Sequence, residues 1–243
     1  MSIVQAWRWL REAESVAVIT GAGISAESGV PVFRGPGGIW RKYRAEELAS
    51  PQAFAQDPKL VWEWHNWRRE IIAATEPNAG HRALVEIERT VDDFSLITQN
   101  VDGLHDLAGS RHPLKLHGDI WETVCMLCGE RRINRDVPLT PLPPHCTCHP
   151  KAVLRPAVVW FGEALPFVIW EEAEAAVKRA ELVLVVGTSA VVYPASGLIT
   201  IGMRNGAHTV EINAHRTPIS DTVDLCLSGN AAEILPDLID AGR

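Results

Sequence analysis

The stretch Val16-Ala17-Val18-Ile19-Thr20-Gly21-Ala22-Gly23-Ile24-Ser25-Ala26-Glu27-Ser28-Gly29 is an apolar, β-branched run that empties directly into a glycine-rich turn. The run reads as a buried strand, and the turn is of phosphate-binding size. Gly21 can take a backbone conformation closed to residues with a β-carbon. Gly23 lets the main chain approach a pyrophosphate, whose charge would meet the N-terminal amides of the next helix. The spacing is not G-x-G-x-x-G, because the glycine after Gly23 is Gly29. Two readings therefore stand on this stretch alone, a nucleotide-binding turn and a plain strand-turn-helix.

Working outward, similar runs lie at Phe94 to Thr98, Leu182 to Val186 and Thr209 to Ile212, each ending in a polar or glycine-rich turn. Fully apolar strands of this kind are central and parallel, covered on both faces by helices. Helical patterns lie at Asn78 to Arg89, Ile169 to Ala180, Ala195 to Asn205 and Ala231 to Ile239. The alternation predicts an α/β fold with a doubly wound, Rossmann-like parallel sheet and ligands at the carboxyl ends of its strands. The 243 residues, 47% of them hydrophobic, suit one domain carrying insertions. The core is expected at about 1–31, 78–117 and 157–243. A helical lid is expected at about 32–77, opened by Gly35-Pro36-Gly37-Gly38 and holding a long helix near Val61 to Ala74. A metal module is expected at about 118–156.

A formal charge of -7 argues against general attraction to nucleic acid or anionic lipid. No apolar run reaches the roughly 18 residues of a membrane span, so a soluble cytoplasmic protein is expected. Ile3, Val4, Trp7 and Leu10 fall at helical spacing in the N-terminal segment. Cys125-x-x-Cys128 is followed after seventeen residues by Cys146-x-Cys148, and two close pairs of thiolates suit a closed, structural Zn²⁺ site. His145 and His149 flank the second pair as alternative ligands, and Cys226 reads as an inert strand residue.

Asn100 and Asp102 follow the run Phe94 to Thr98, so an amide and a carboxylate fall at the carboxyl end of a strand. The alternative for both is ordinary Asx turn chemistry. His117, with an ordinary pKa of about 6.5, is a candidate general base.

Gly29-Val30-Pro31-Val32-Phe33-Arg34, Thr98-Gln99-Asn100-Val101-Asp102-Gly103-Leu104-His105, Leu116-His117-Gly118 and Gly187-Thr188-Ser189 together closely resemble the sirtuins, the NAD-consuming protein deacylases. The resemblance runs from near residue 16 to about residue 231. It implies that His117 is the base, with Asn100 and Asp102 orienting ribose and nicotinamide. It places NAD against Gly21, Ala22, Gly23, Ser25, Ala26, Phe33, Arg34, Trp40, Gln99, Val101, Gly187, Thr188, Ser189, Asn213, Ala214, His215 and Ala231. It implies zinc on Cys125, Cys128, Cys146 and Cys148, although Cys-x-Cys replaces the Cys-x-x-Cys common in sirtuins. His81 matches a family element and reads as structural. His105 reads as a packing or surface residue.

By the same resemblance, the segment containing Val159, Phe161, Gly162 and Glu163 pairs with substrate backbone opposite Val192-Tyr193-Pro194, the alternative being an ordinary edge strand. Sirtuins that prefer acidic acyl chains carry a tyrosine and an arginine three residues apart on the lid helix, and these positions map to His65 and Arg68. Spacing of three puts both on one helix face, where a guanidinium can grip a carboxylate through two parallel hydrogen bonds. Trp62, Trp64 and Trp67 are expected to pack the lid. The expected partners are acylated lysine-containing proteins, met by a monomer. Other readings remain: mono-ADP-ribosyl transfer, hydride transfer, and a zinc-ribbon nucleic-acid binder using Arg131, Arg132, Arg135, Lys151 and Arg155.

Overall fold

The computed structural model describes residues 2–32 and 45–242. Phe33, Arg34, Trp40 and the Gly35 to Gly38 run lie outside them. Among the described residues nine strands follow in chain order: β1 (Ser15–Thr20), β2 (Asp93–Thr98), β3 (Leu114–Lys115), β4 (Gly118–Cys125), β5 (Arg131–Ile133), β6 (Leu154–Val158), β7 (Leu182–Val186), β8 (His208–Asn213) and β9 (Leu225–Ser228). The helices are α1 (Ile3–Glu12), α2 (Gly23–Ala26), α3 (Ala45–Leu48), α4 (Pro51–Gln56), α5 (Pro58–Ala73), α6 (Ala79–Thr90), α7 (Leu104–Ala108), α8 (Phe167–Arg179), α9 (Gly197–Arg204) and α10 (Ala231–Asp240). None is long and apolar enough to cross a membrane.

The apolar runs form a six-stranded sheet in the order β3-β2-β1-β7-β8-β9, every neighbouring pair parallel. Alternate residues of each strand feed opposite faces, as the two-residue period requires. Val16, Val18, Leu182, Leu184, Val210 and Ile212 pack with α1, α6 and α10, whereas Ala17, Ile19, Val183 and Val185 pack with α8 and α9. The order reverses between β1 and β7, and ligands of open α/β sheets lie beyond the strand ends at such a point.

A second core joins the two inserted segments. Leu48, Phe54, Val61, Trp62, Trp64 and Ile72 pack directly against Ile120, Trp121, Leu139, Val158 and Trp160. The helices start where local chemistry dictates: Ser50 and Asp57 each cap the helix that follows with a side-chain oxygen, and each precedes a proline at the first helical position. The long helix α5 is not a free-standing lid. Trp62 Nε1 donates to Leu154 O at 2.8 Å, Asn66 exchanges two hydrogen bonds with the Leu139 backbone, and Arg69 donates to Asn134 Oδ1 at 2.6 Å. Leu154 opens β6 of the small antiparallel sheet β5-β4-β6, and Asn134 and Leu139 lie in the segment that follows β5.

Two expectations need correction at residue level. Trp62 and Trp64 are buried, but Trp67 lies on the outer face of α5 and is exposed. In α1 the buried face is Ala6 and Leu10 with Ile3 and Trp7 beside them, and Val4 is exposed, because the helix docks on α10 through a narrower stripe.

Candidate active site at the switch point

The carboxyl ends of β1, β2, β7 and β8 open into a cavity of about 750 Å³. At one end it is lined by Gly21 to Gly23, Ala26, Gly187 to Ser189, Asn213 to Pro218 and Gly229 to Ala231. The glycines are required for a reason other than backbone freedom at Gly21. Gly21 and Gly23 have no positive φ; a Cβ on Gly21 would lie 2.8 Å from Thr188 Cα, and one on Gly23 would lie 2.7 Å from Gly187 Cα and O. Gly187 does take a left-handed φ of +59°, and its own Cβ would meet Ile24 N at 2.4 Å. The loops after β1 and β7 thus interlock through main chain. The Gly23 amide donates to Gly187 O at 2.7 Å, so it serves that interlock rather than a pyrophosphate.

Gln99, Asn100, Val101 and His117 form the middle of the cavity wall. His117 Nδ1 lies 2.9 Å from Gln99 O. A carbonyl can only accept, so Nδ1 carries the proton and the neutral ring keeps a lone pair on Nε2. Burial lowers the His117 pKa below 6.5, with the Gln99 hydrogen bond opposing the shift. The ring is therefore neutral at pH 7 and able to take a proton.

Asn100 Nδ2 donates to Gly21 O at 3.1 Å and to Ser25 Oγ at 3.2 Å. Both amide hydrogens are committed, which leaves its oxygen as the acceptor available to a ligand. Ser25 and Asp102 stand behind the wall rather than in it: Ser25 Oγ donates to Asp102 Oδ2 at 2.8 Å, and Leu104 N donates to Asp102 Oδ1 at 2.9 Å. Burial raises the Asp102 pKa, opposed by the Leu104 amide, the Ser25 hydroxyl and Arg68.

Two histidines extend this buried network. His81 Nε2 lies 3.4 Å from Ser25 Oγ, and His81 also forms the capping box of α6 with Asn78. His105 is neither exposed nor merely packed, since its Nε2 lies 2.9 Å from Thr20 Oγ1, which in turn bonds Thr98 Oγ1. Burial holds both rings neutral, His81 with a pKa of about 4.

The opposite end of the cavity is made of side chains. Trp64, His65 and Arg68 on α5 face the segment Val158 to Glu163, with Val192 to Pro194 at the mouth. The three-residue spacing does bring His65 and Arg68 to the same cavity. His65 is wholly buried, and neither ring nitrogen has a hydrogen-bond partner among the described residues. Burial and then Arg68, Arg155 and Arg69 push its pKa well below 6.5, so it is a neutral donor and acceptor, not a cation. Arg68 lies over the Trp64 ring at 5.1 Å; burial lowers its pKa to about 10 while Asp102 opposes the shift, so it keeps its charge at pH 7.

Beyond Val158, at the end of β6, the expected substrate-pairing segment is a turn rather than a strand. Val159 N donates to His117 O, and Phe161 N to Ala49 O. Glu163 accepts two bonds from Arg155, at 2.5 and 2.9 Å, and one from Trp160 N, so its charge is spent inside the protein.

The Sir2 family matches residues 21–194 of this sequence. An NAD-dependent protein deacylase of Aquifex aeolicus is 47% identical over 227 residues, covering 93% of this chain and 94% of that one. The chain belongs to the Sir2 family. Among solved structures, a Sir2 homologue variant in complex with ADP-ribose superposes with a TM-score of 0.94 at 43% identity, covering 97% of this chain and 94% of that one. A Sir2 homologue–NAD complex gives 0.91 at 43% identity, covering 98% of this chain and 92% of that one.

This Sir2-family chain gathers Cys125, Cys128, Cys146 and Cys148 so that their sulfurs all lie within 4.8 Å of one another. A tetrahedral zinc with Zn–S bonds of about 2.3 Å sets its sulfurs about 3.8 Å apart. The Cys125–Cys148 separation of 3.7 Å and the Cys128–Cys146 separation of 4.0 Å fit that geometry. The shorter Cys-x-Cys spacing is therefore no obstacle. His145 and His149 are outside the cluster, and His149 Nδ1 accepts from Lys151 N instead. Four sulfurs leave no open ligand position, which makes the metal structural.

The basic patch around it is largely internally matched, with Arg131 on Glu122, Arg132 on Glu130 and Arg155 on Glu163, while Arg135 lies over Trp121. That removes the electrostatic basis for the nucleic-acid reading. Sequence reasoning missed several lining residues: Val32, Ala49, Leu165 and Arg216 to Pro218.

Proposed function

We propose that this chain removes acyl groups from protein lysines with NAD as co-substrate and one water consumed, releasing nicotinamide, 2'-O-acyl-ADP-ribose and the free lysine. The observation that carries this reading is His117, in the cavity wall with its proton held on Nδ1 by Gln99 O. NAD supplies a ribose carbon with nicotinamide as leaving group, and beside it a hydroxyl that receives the acyl group. His117 Nε2 takes the proton of that hydroxyl. Asn100 meets the nucleotide through its side-chain oxygen, held by Gly21 O and Ser25. Asp102 acts through Ser25 and so positions Asn100. The four cysteines would hold a zinc that fixes the small module, and the apolar core between that module and α5 places Trp160 opposite His65.

The acyl end favours chains carrying a terminal carboxylate, such as succinyl and malonyl. Arg68 is a charged fork in an apolar wall, and His65 adds one neutral donor. Arg68→Met keeps length and removes every donor. It should raise the KM for a succinyl-lysine peptide roughly tenfold or more, the worth of a charged hydrogen bond, while sparing the acetyl-lysine peptide. An unchanged succinyl-to-acetyl ratio in the variant would mean that this helix face does not read the acyl chain.

A further inference from the structure

Glu211 lies in the middle of β8, fully buried, between the equally buried core residues Val210 and Ile212. An ionised carboxylate inside an apolar sheet layer is costly unless donors surround it. Here they do. Thr217 Oγ1 donates to Oε1 at 2.5 Å, Ser220 Oγ donates to Oε2 at 2.5 Å, and Cys226 Sγ, opposite Glu211 on β9, donates to Oε2 at 3.6 Å. Burial and Glu211 itself keep Cys226 a protonated thiol, as a donor must be.

Both hydroxyls belong to the segment between β8 and β9, which contains no helix or strand of its own. That segment presents His215, Arg216 and Thr217 to the cavity. Its far end is tied separately, by Asp224 Oδ2 accepting from Thr209 N and Oγ1. Without Glu211, the near end is shaped by its own short turns, the Arg216–Asp221 ion pair and the packing of Ile219 against the sheet core.

We infer that Glu211 is a positioning residue for nucleotide binding: it fastens the β8–β9 segment to the sheet and so fixes the wall against which NAD is held. The inference rests on the reading that NAD occupies this cavity. Glu211 touches no ligand itself. Its effect belongs to NAD affinity and not to the acyl end or to the proton transfer at His117.

Glu211→Gln is isosteric but uncharged, and its NH2 replaces one of the two oxygens to which Thr217 and Ser220 separately donate. Steady-state kinetics should show the KM for NAD raised roughly tenfold, with kcat at saturating NAD and the KM for acyl-peptide held, since charged hydrogen bonds are lost only on this wall. Thr217→Val should act in the same direction, Thr217→Ser should restore the wild-type KM, and the Glu211→Gln/Thr217→Val pair should be no worse than its larger single, because both cut one link. If Glu211→Gln does not fold, the Thr217 pair decides alone. An unchanged KM for NAD in folded variants, a fall in kcat alone, or Thr217→Ser as impaired as Thr217→Val would overturn the inference. A wild-type protein that consumes no NAD would overturn the parent reading instead, and this one with it.

Discussion

At the nucleotide end of the cavity the protein offers main chain, with the loops after β1 and β7 interlocked at Gly21, Gly23 and Gly187; at the acyl end it offers Trp64, His65, Arg68 and Trp160. At those three glycines the first end has no room for a Cβ. The second is defined by which side chains are present. A single fixed ligand can be held by backbone, whereas a choice among acyl groups needs groups that substitution can change. His117 and Asn100 stand where the two ends meet.

The contrast is most severely stressed by Gly23→Val. Its Cβ would sit 2.7 Å from Gly187 O, and β-branching leaves little freedom to escape. NAD binding measured by calorimetry should be lost, while elemental analysis still finds about one zinc per chain. Binding of NAD at wild-type affinity would show that the interlock is not what shapes this end.

His117→Ala comes next, with deacylation reduced roughly 10²- to 10⁴-fold, the worth of a general base. Calorimetric affinity for NAD should stay near that of the wild type. The acid limb of the wild-type rate should lie below pH 6.5, since burial lowers the pKa of His117 and the ring must be neutral to act.

The smallest effect expected concerns His65. The ring is held neutral, so the succinyl-to-acetyl ratio should be flat from pH 6.5 to 8; a ratio that falls across this range would mean that His65 binds the chain as a cation. Stability should respond on the acid side. His65, His81 and His105 are neutral in the fold but titrate near 6.5 when unfolded. Below that pH the unfolded chain binds more protons, so stability is lost as pH falls from about 6.5 toward the His81 value of about 4. Denaturant midpoints across that range measure it.

What was legible in the sequence follows the same division. The strand ending at Thr20 and the turn after it are written in consecutive residues, and the cysteine spacing and the His65–Arg68 helical spacing are similarly local. The reason Gly23 must be glycine was not legible, because its neighbour Gly187 comes from a different strand. The same holds for Trp160 against His65, for Thr20 against His105, and for Glu211 under Thr217 and Ser220. The small sheet was missed because β5 is wholly exposed and β4 alternates imperfectly, leaving little apolar periodicity to read. In most of these cases the deciding contact joins residues far apart in the chain, and for Glu211 it depends on how the turns after its strand fold back on it.

The most direct test of the account is a mass balance on the native protein with NAD and matched acetyl- and succinyl-lysine peptides. The account predicts equimolar nicotinamide, free-lysine peptide and acyl-ADP-ribose, all dependent on NAD. Peptide or protein gaining the mass of ADP-ribose while the acyl group stays on lysine, or nicotinamide released with no acyl-ADP-ribose formed, would contradict it.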